Sequence, residues 1–310
     1  MIDLTNVSKL YGNVIGLNDV SLNFESGAYG LVGPNGAGKT TFINLLIGQL
    51  RPTIGTVKVL GKDPWRQRSV LRRIGLCPAT DVLYPNVSAR EFVWYQVRLH
   101  GLSHAECNRR TELALERVGM TESMNRPMGS YSLGMRQRTK IAQAIAHEPD
   151  FLILDEPYNG LDPVGRFQMA ELLKQWTAEG KGLLFASHVL HEIEAITSAF
   201  ALIYGGRLLA SGTAGEIESV LAETPQEVCF FGSDVSRLLR RLADVDWVTS
   251  LNLSADRREL RVGLTDPSAL FQRLAKWIDE DGLTIDQFQS AEGNLTAVFD
   301  SLLKHHRGEL

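Results

Sequence analysis

The run Gly33-Pro34-Asn35-Gly36-Ala37-Gly38-Lys39-Thr40 combines the residue types that hold a polyphosphate. Its glycines let successive backbone N–H groups turn inward as an anion nest, and a helix N-terminus behind them adds partial positive charge. Lys39 is expected to reach the β- and γ-phosphates, and the Thr40 hydroxyl to ligate Mg²⁺. Asn35, Gly36, Gly38, Lys39, Thr40 and Thr41 are the expected nucleotide contacts. A second chemical group, Asp155-Glu156, closes the apolar run Phe151-Leu152-Ile153-Leu154. That places two carboxylates at the carboxyl edge of a sheet, where ligands of such folds bind. Asp155 would hold the metal; Glu156 would orient or deprotonate an attacking water, which takes a carboxylate within hydrogen-bond reach. Alone, the pair also reads as a loop cap. The phosphate loop upstream favours the chemical reading.

Such a loop works only between a strand and a helix, and the sequence predicts both: a strand over Ala28 to Val32 and a helix over Thr41 to Leu50. Up to about Ser211, short apolar runs alternate with helical periods, as in an α/β fold whose mostly parallel sheet is covered by helices. Met1 to Leu10 alternates apolar and polar residues and is predicted as an edge strand. Val87 to Gly119 reads as helical, the start of an inserted helical subdomain over about 87–147. After Gly212 the pattern changes. Strands are predicted over Gln226 to Phe231, Trp247 to Leu253, Glu259 to Leu264 and Thr284 to Gln289, with helices over Val235 to Ala243 and Ser268 to Glu280. The order βαββαβ is that of an α+β ferredoxin-like unit, and a last helix is expected from Leu295 to Lys304. The expected division is 1–214 for the phosphate-binding domain and 215–310 for a regulatory or dimerisation domain.

Between these motifs, Tyr131-Ser132-Leu133-Gly134-Met135-Arg136-Gln137-Arg138 resembles the signature motif of ATP-binding-cassette (ABC) transporter subunits in its exporter variant. The resemblance covers Met1 to about Ser211 and implies a P-loop NTPase cassette that binds and hydrolyses ATP with Mg²⁺. Ser132 is a good N-cap for a helix running to His147, so its hydroxyl and the helix amides would point at one anion. In the family that anion is the γ-phosphate held by the other subunit, with Ser132 and Gly134 as contacts. Leu161-Asp162 resembles the loop that communicates between the two sites, although a capped turn before Pro163 explains its shape equally well. His188 resembles the switch histidine at the γ-phosphate, and Tyr11 the aromatic that stacks on adenine. The segment Ile74-Gly75-Leu76-Cys77-Pro78-Ala79-Thr80-Asp81 aligns with the family's glutamine loop, but the glutamine position is Ala79. A methyl group cannot ligate a metal or orient water, so Thr80, Asp81 or a water substitutes, or hydrolysis is slow.

The partners this implies are itself or a homologous cassette in a head-to-tail dimer, and a polytopic membrane permease. The expected place is the cytoplasmic face of the cell membrane, peripherally attached. No apolar stretch approaches the roughly 20 residues that span a bilayer, and no basic start with an apolar run marks a signal peptide. Cys77, Cys107 and Cys229 are odd in number and widely separated, so no disulfide framework is readable. The net charge of −4 is uneven: from Gly215 onward stand 17 acidic and 10 basic residues, which leaves +3 for the rest. No basic stripe calls for nucleic acid, and no heptads suggest a coiled-coil insertion.

Overall fold

The computed structural model describes residues 1–80, 84–213, 216, 226–265 and 267–290. It opens with β1 (Ile2–Tyr11) and β2 (Val14–Phe24), followed by β3 (Ala28–Val32), α1 (Lys39–Leu46), β4 (Ile54–Val59) and β5 (Ile74–Cys77). Then come α2 (Ala89–Arg98), α3 (His104–Arg117), α4 (Leu133–Ile145), β6 (Phe151–Asp155) and α5 (Pro163–Ala178). β7 (Gly182–Ser187), α6 (Leu190–Glu194), β8 (Ala199–Tyr204) and β9 (Arg207–Thr213) end the first of two compact units, which runs from Met1 to Thr213.

The first unit holds two sheets. One has the order β5-β6-β7-β3-β8-β9, parallel except where β9 pairs antiparallel with β8. Its central strands β6 and β7 are buried at every residue, as expected where helices cover both faces. The other is antiparallel, in the order β2-β1-β4. β1 is therefore the centre of its sheet and not the expected edge strand. Alternating polarity reports which face of a strand is buried; both neighbours of β1 arrive from later in the chain, and alternation says nothing about them. Ile2, Leu4 and Val7 of β1 join Phe42, Leu45 and Leu46 of α1 in one buried cluster, which fixes the helix that ends the phosphate loop.

α1 starts and stops earlier than predicted. It begins at Lys39, straight after Gly38, and ends before Gly48, whose φ is +63°. Gln49 and Leu50 then donate their amides to the Asn44 carbonyl (2.9 and 3.0 Å), which closes the last turn. α2 opens on a capping box in which Ser88 and Glu91 satisfy each other's backbone amides. α2, α3 and α4 pack against one another, and lie in sequence between β5 and β6, two strands hydrogen-bonded side by side. α4 ends at Ile145, two residues short of the predicted His147.

The second unit, from Ala214 to Leu310, has strands β10 (Gln226–Phe231), β11 (Val248–Leu253), β12 (Glu259–Leu264) and β13 (Gln287–Ser290) in the order β11-β12-β10-β13, antiparallel throughout. Helices Val235–Leu242 and Pro267–Asp281 bury Leu238, Leu242, Leu270 and Leu274 against Phe230, Leu260 and Val262. β13 starts later than the predicted Thr284, because Thr284 donates its amide to Asp234 (2.9 Å) and Asp286 donates to the Phe231 carbonyl (2.8 Å) before pairing begins. The expected helix from Leu295 to Lys304, and Asp81, lie outside the described residues.

Candidate functional site

β3 delivers the chain to the phosphate loop at its carboxyl end, and the loop turns into α1 at Gly38. Gly38 has φ +111°, and a Cβ there would lie 2.7 Å from the Gly16 carbonyl oxygen, so both backbone conformation and space require glycine. β6 delivers Asp155 to the same edge, and β7 delivers Ser187 and His188 beside it. Parallel pairing of β3, β7 and β6 therefore brings distant segments to one line of strand ends.

The result is a cleft of about 370 Å³. It is lined by Tyr11, Asn35, Gly36, Gly38, Lys39, Thr40, Thr41, Asp155 and Glu156 from the predicted set, together with Val14, Ile15, Gly16, Pro34 and Ala79. Lys39 is buried. Its ammonium donates to the Gly33 and Pro34 carbonyls (2.6 and 3.3 Å) and lies 3.6 Å from Glu156 Oε1. Glu156, at φ +51°, accepts from the His188 backbone amide (3.1 Å) and has both carboxylate oxygens 2.9 Å from His188 Nδ1. Ser187 Oγ stands 3.5 Å from Glu156 Oε2 and donates to Glu192 (2.8 Å). Tyr11 is 44% exposed at the outer end, with its hydroxyl 3.4 Å from Thr41 Oγ1.

Asp155 is buried, and its pKa is pushed up to about 6. Burial is the main cause and repulsion from Glu156 the second; Lys39 and Lys140 oppose both. The Cys77 thiol, wholly buried under the cleft wall, is pushed up to about 12 chiefly by burial, which leaves it a protonated, inert packing group.

Ser132 and Gly134 do not line this cleft. Ser132 caps α4 by accepting from the Met135 amide (3.2 Å), leaving Leu133 beside it 63% exposed. Gly134 packs under the Gly160 loop, where a Cβ would lie 3.0 Å from the Gly160 oxygen. Asp162, two residues on, caps α5 through the Gly165 amide (2.9 Å). The signature helix thus starts at a surface, away from the phosphate-loop cleft of its own chain.

Sequence reasoning missed Val14, Ile15 and Gly16, which reach the cleft because β2 runs beside the phosphate loop. It also missed Lys140, whose ammonium donates to the Ala79 carbonyl (3.3 Å). No signal in the sequence marks it, because a lysine in a helix ordinarily reads as solvated.

Known proteins agree with this geometry. Residues 17–159 match the ABC transporter family. The chain is similar to the bacitracin transport ATP-binding protein BcrA of Bacillus licheniformis, 36% identical over 67% of this chain and 68% of the relative. It is also similar to the daunorubicin/doxorubicin resistance ATP-binding protein DrrA of Streptomyces peucetius, 30% identical over 98% of this chain and 92% of that protein. Among solved structures, the ATP-binding subunit of an ABC transporter superposes with a TM-score of 0.66 at 29% identity, over 71% of this chain and 93% of the other. A dimeric bacterial ABC transporter cassette, MJ0796, gives 0.64 at 25% identity, over 69% and 98%.

Proposed function

The chain belongs to the ABC transporter family as an ATP-binding subunit that energises transport, and from that premise we propose that it drives export through a separate membrane permease as a head-to-tail dimer. The observation that carries the catalytic part is the Lys39–Glu156 pair at 3.6 Å: the cation for the γ-phosphate and the carboxylate for the attacking water meet at one end of the cleft. Arrival of ATP would exchange Lys39's backbone carbonyls for phosphate oxygens, a stronger, charge-assisted set. Glu156, held from one side by His188, would then accept the proton of a water aimed at the γ-phosphorus. His188 would donate to the γ-phosphate when its ring leaves Glu156. Tyr11 would stack on adenine where the cleft opens.

Thr40 and Asp155 put a hydroxyl and a carboxylate in the same cleft, the hard oxygen donors that Mg²⁺ takes. When bound there with ATP, the ion would supply charge neutralisation to the phosphates, with Thr40 and Asp155 as the protein's donors.

The place of Ser132 supports dimerisation. Ser132 and the exposed start of α4 lie away from their own chain's cleft, whereas a head-to-tail partner would set them against its γ-phosphate. ATP would then bridge two chains and favour the closed pair, and loss of the γ-phosphate would remove that bias. Similarity to a dimeric cassette supports pairing. Relatives named for bacitracin transport and for daunorubicin/doxorubicin resistance support export. No described helix is long and apolar enough to cross a membrane; a separate polytopic permease would supply the path, with this chain attached peripherally at the cytoplasmic face. The second unit, with the strand order of a ferredoxin-like fold, would reinforce the dimer. With Ala79 in place of glutamine, hydrolysis would be slow.

Glu156→Gln tests the core of this reading. The amide keeps shape but cannot accept a proton, so turnover should fall by about 10²- to 10⁴-fold with ATP affinity retained. The variant should elute as a dimer with ATP and as a monomer with ADP. Hydrolysis near the parent rate would remove Glu156 from the role of base.

A further inference from the structure

The helix that begins at Ser132 also grips the wall of the nucleotide cleft. β5 is an edge strand, and its outer side is met by side chains of α4 and of His147 just beyond it. Gln143 Nε2 donates to the Leu76 carbonyl (2.6 Å), Gln137 Nε2 lies 3.7 Å from Cys77 Sγ, and His147 Nε2 stands 3.1 Å from the Ile74 carbonyl. Where the strand ends, Lys140 takes over. Its ammonium donates to the carbonyls of Pro78, Ala79 and Thr80 at 3.1, 3.3 and 3.4 Å. Gln137, Lys140 and Gln143 recur every third residue and so share one side of the helix.

Lys140 is 4% exposed. A buried ammonium is tolerated where its hydrogens find acceptors, and its donors here meet consecutive backbone oxygens. Those oxygens belong to the segment whose Ala79 contributes only a methyl group to the cleft. No long side chain at position 79 can fix this wall, so its position is set through the backbone. The same cation also weighs on Asp155 electrostatically, which sets it near the metal edge of the site.

We propose that Lys140 is a positioning residue for ATP hydrolysis, tying residues 78–80 to α4 so that nucleotide at the Ser132 end of the helix sets the Ala79 wall of that chain's own cleft. This rests on the head-to-tail reading, in which the nucleotide at Ser132 belongs to the partner. Lys140 touches no reacting atom; it acts by carrying a displacement of α4 to the segment beside the catalytic groups. Two sites in the dimer would thereby sense each other through one buried side chain.

Hydrogen exchange in the full chain carrying Glu156→Gln, with and without ATP, reads this without requiring turnover. With Lys140 present, ATP should protect both 132–145 and 74–80. With Lys140→Met added, 132–145 should still gain protection while 74–80 does not. In the chain with Glu156 intact, Lys140→Met should lower kcat by about tenfold to a hundredfold, the cost of a small misplacement, with KM for ATP within about twofold. Protection of 74–80 in Lys140→Met equal to the parent, or a kcat within about twofold of it, overturns the inference. Should Lys140→Met not fold, Lys140→Gln repeats the measurements, and failure of both to give folded, nucleotide-binding protein assigns Lys140 to the core and overturns it too. If ATP protects neither region of the parent, the head-to-tail reading fails and this inference with it. If ATP protects 132–145 alone, only this inference fails.

Discussion

The two units bury different things. In the first, Lys39, Lys140, Asp155 and Glu192 are all less than a tenth exposed, and every buried polar or charged residue among those described lies before Thr213. In the second, the core is Val228, Phe230, Leu238, Leu260, Trp277 and similar apolar groups, with ion pairs such as Arg241–Asp281 (2.7 Å) outside it. Burying an ion costs several kcal/mol unless good geometry offsets it. The first unit accepts that cost at one line of strand ends, where charge must meet phosphate. The second buries only apolar side chains among its described residues.

Cutting into the apolar core should produce the larger effect on stability and none on the nucleotide. Phe230 is fully buried, so Phe230→Ala should destabilise the second unit by about 3–5 kcal/mol. Denaturant unfolding checks this, and ATP affinity should stay within about twofold of the parent; a larger loss would break the separation of roles. The converse change is Lys39→Ala. Losing a charge-assisted contact of about 1.5–3 kcal/mol should weaken ATP binding about tenfold to a hundredfold, as nucleotide titration would show, while leaving the second unit's unfolding unmoved.

The same contrast governs what the sequence discloses. β10 and β12 are legible to the residue, because short β-rich apolar runs bounded by turn residues report burial directly. The phosphate loop, Asp155, Glu156 and the cap at Ser132 are legible because their chemistry depends on neighbours in sequence. β1's place at the centre of its sheet is not, since its partners β2 and β4 are set by tertiary pairing. Lys140 is not legible either. A helical lysine reads as solvated until the fold lays three carbonyl groups against it. Ala79 is the opposite case: a missing amide is plain in the sequence, but what replaces it depends on the fold.

Buried charge also gives the first unit a pH dependence between pH 5 and 7 that the shifted carboxylates described in the second do not share. The folded pKa of Asp155, about 6, lies above its ordinary value of 3.8, so the folded state holds this proton more tightly than the unfolded one. Its contribution to stability is present below about pH 3.8 and is lost as pH rises through about 6. Metal binding runs the other way, because only the carboxylate ligates. From pH 7 to pH 5 Mg²⁺-dependent ATP affinity should therefore fall about tenfold further in the parent than in Asp155→Asn, whose remaining dependence is that of the nucleotide's own phosphate. In the second unit, hydrogen bonds from Arg241 hold Asp281 below its ordinary range, and bonds from Ser254 and Arg258 do the same for Asp256. Neither titrates between pH 5 and 7. Calorimetric titration at the two pH values distinguishes a local carboxylate from a general acid effect.

The smallest expected effect is the most specific. Ala79 lines the cleft beside Asp155 and Glu156, but its side chain offers neither donor nor acceptor. Adding an amide by Ala79→Gln would supply a polar contact to water or metal in a site already ordered. A single such contact in a preorganised site is worth about a hundredfold to a thousandfold in rate at most. Two features reduce the gain. A water can occupy the space beside a methyl group and return much of the interaction. Lys140 already fixes the Ala79 and Thr80 carbonyls, so the backbone that would carry the new side chain has little freedom to aim it. A rise in kcat of about threefold to tenfold is therefore expected, with KM for ATP little changed. A steady-state assay of both proteins decides it. An unchanged or lower rate would mean that the cleft is shaped to work without the amide, and that the backbone clamp from α4 is the arrangement that replaced it.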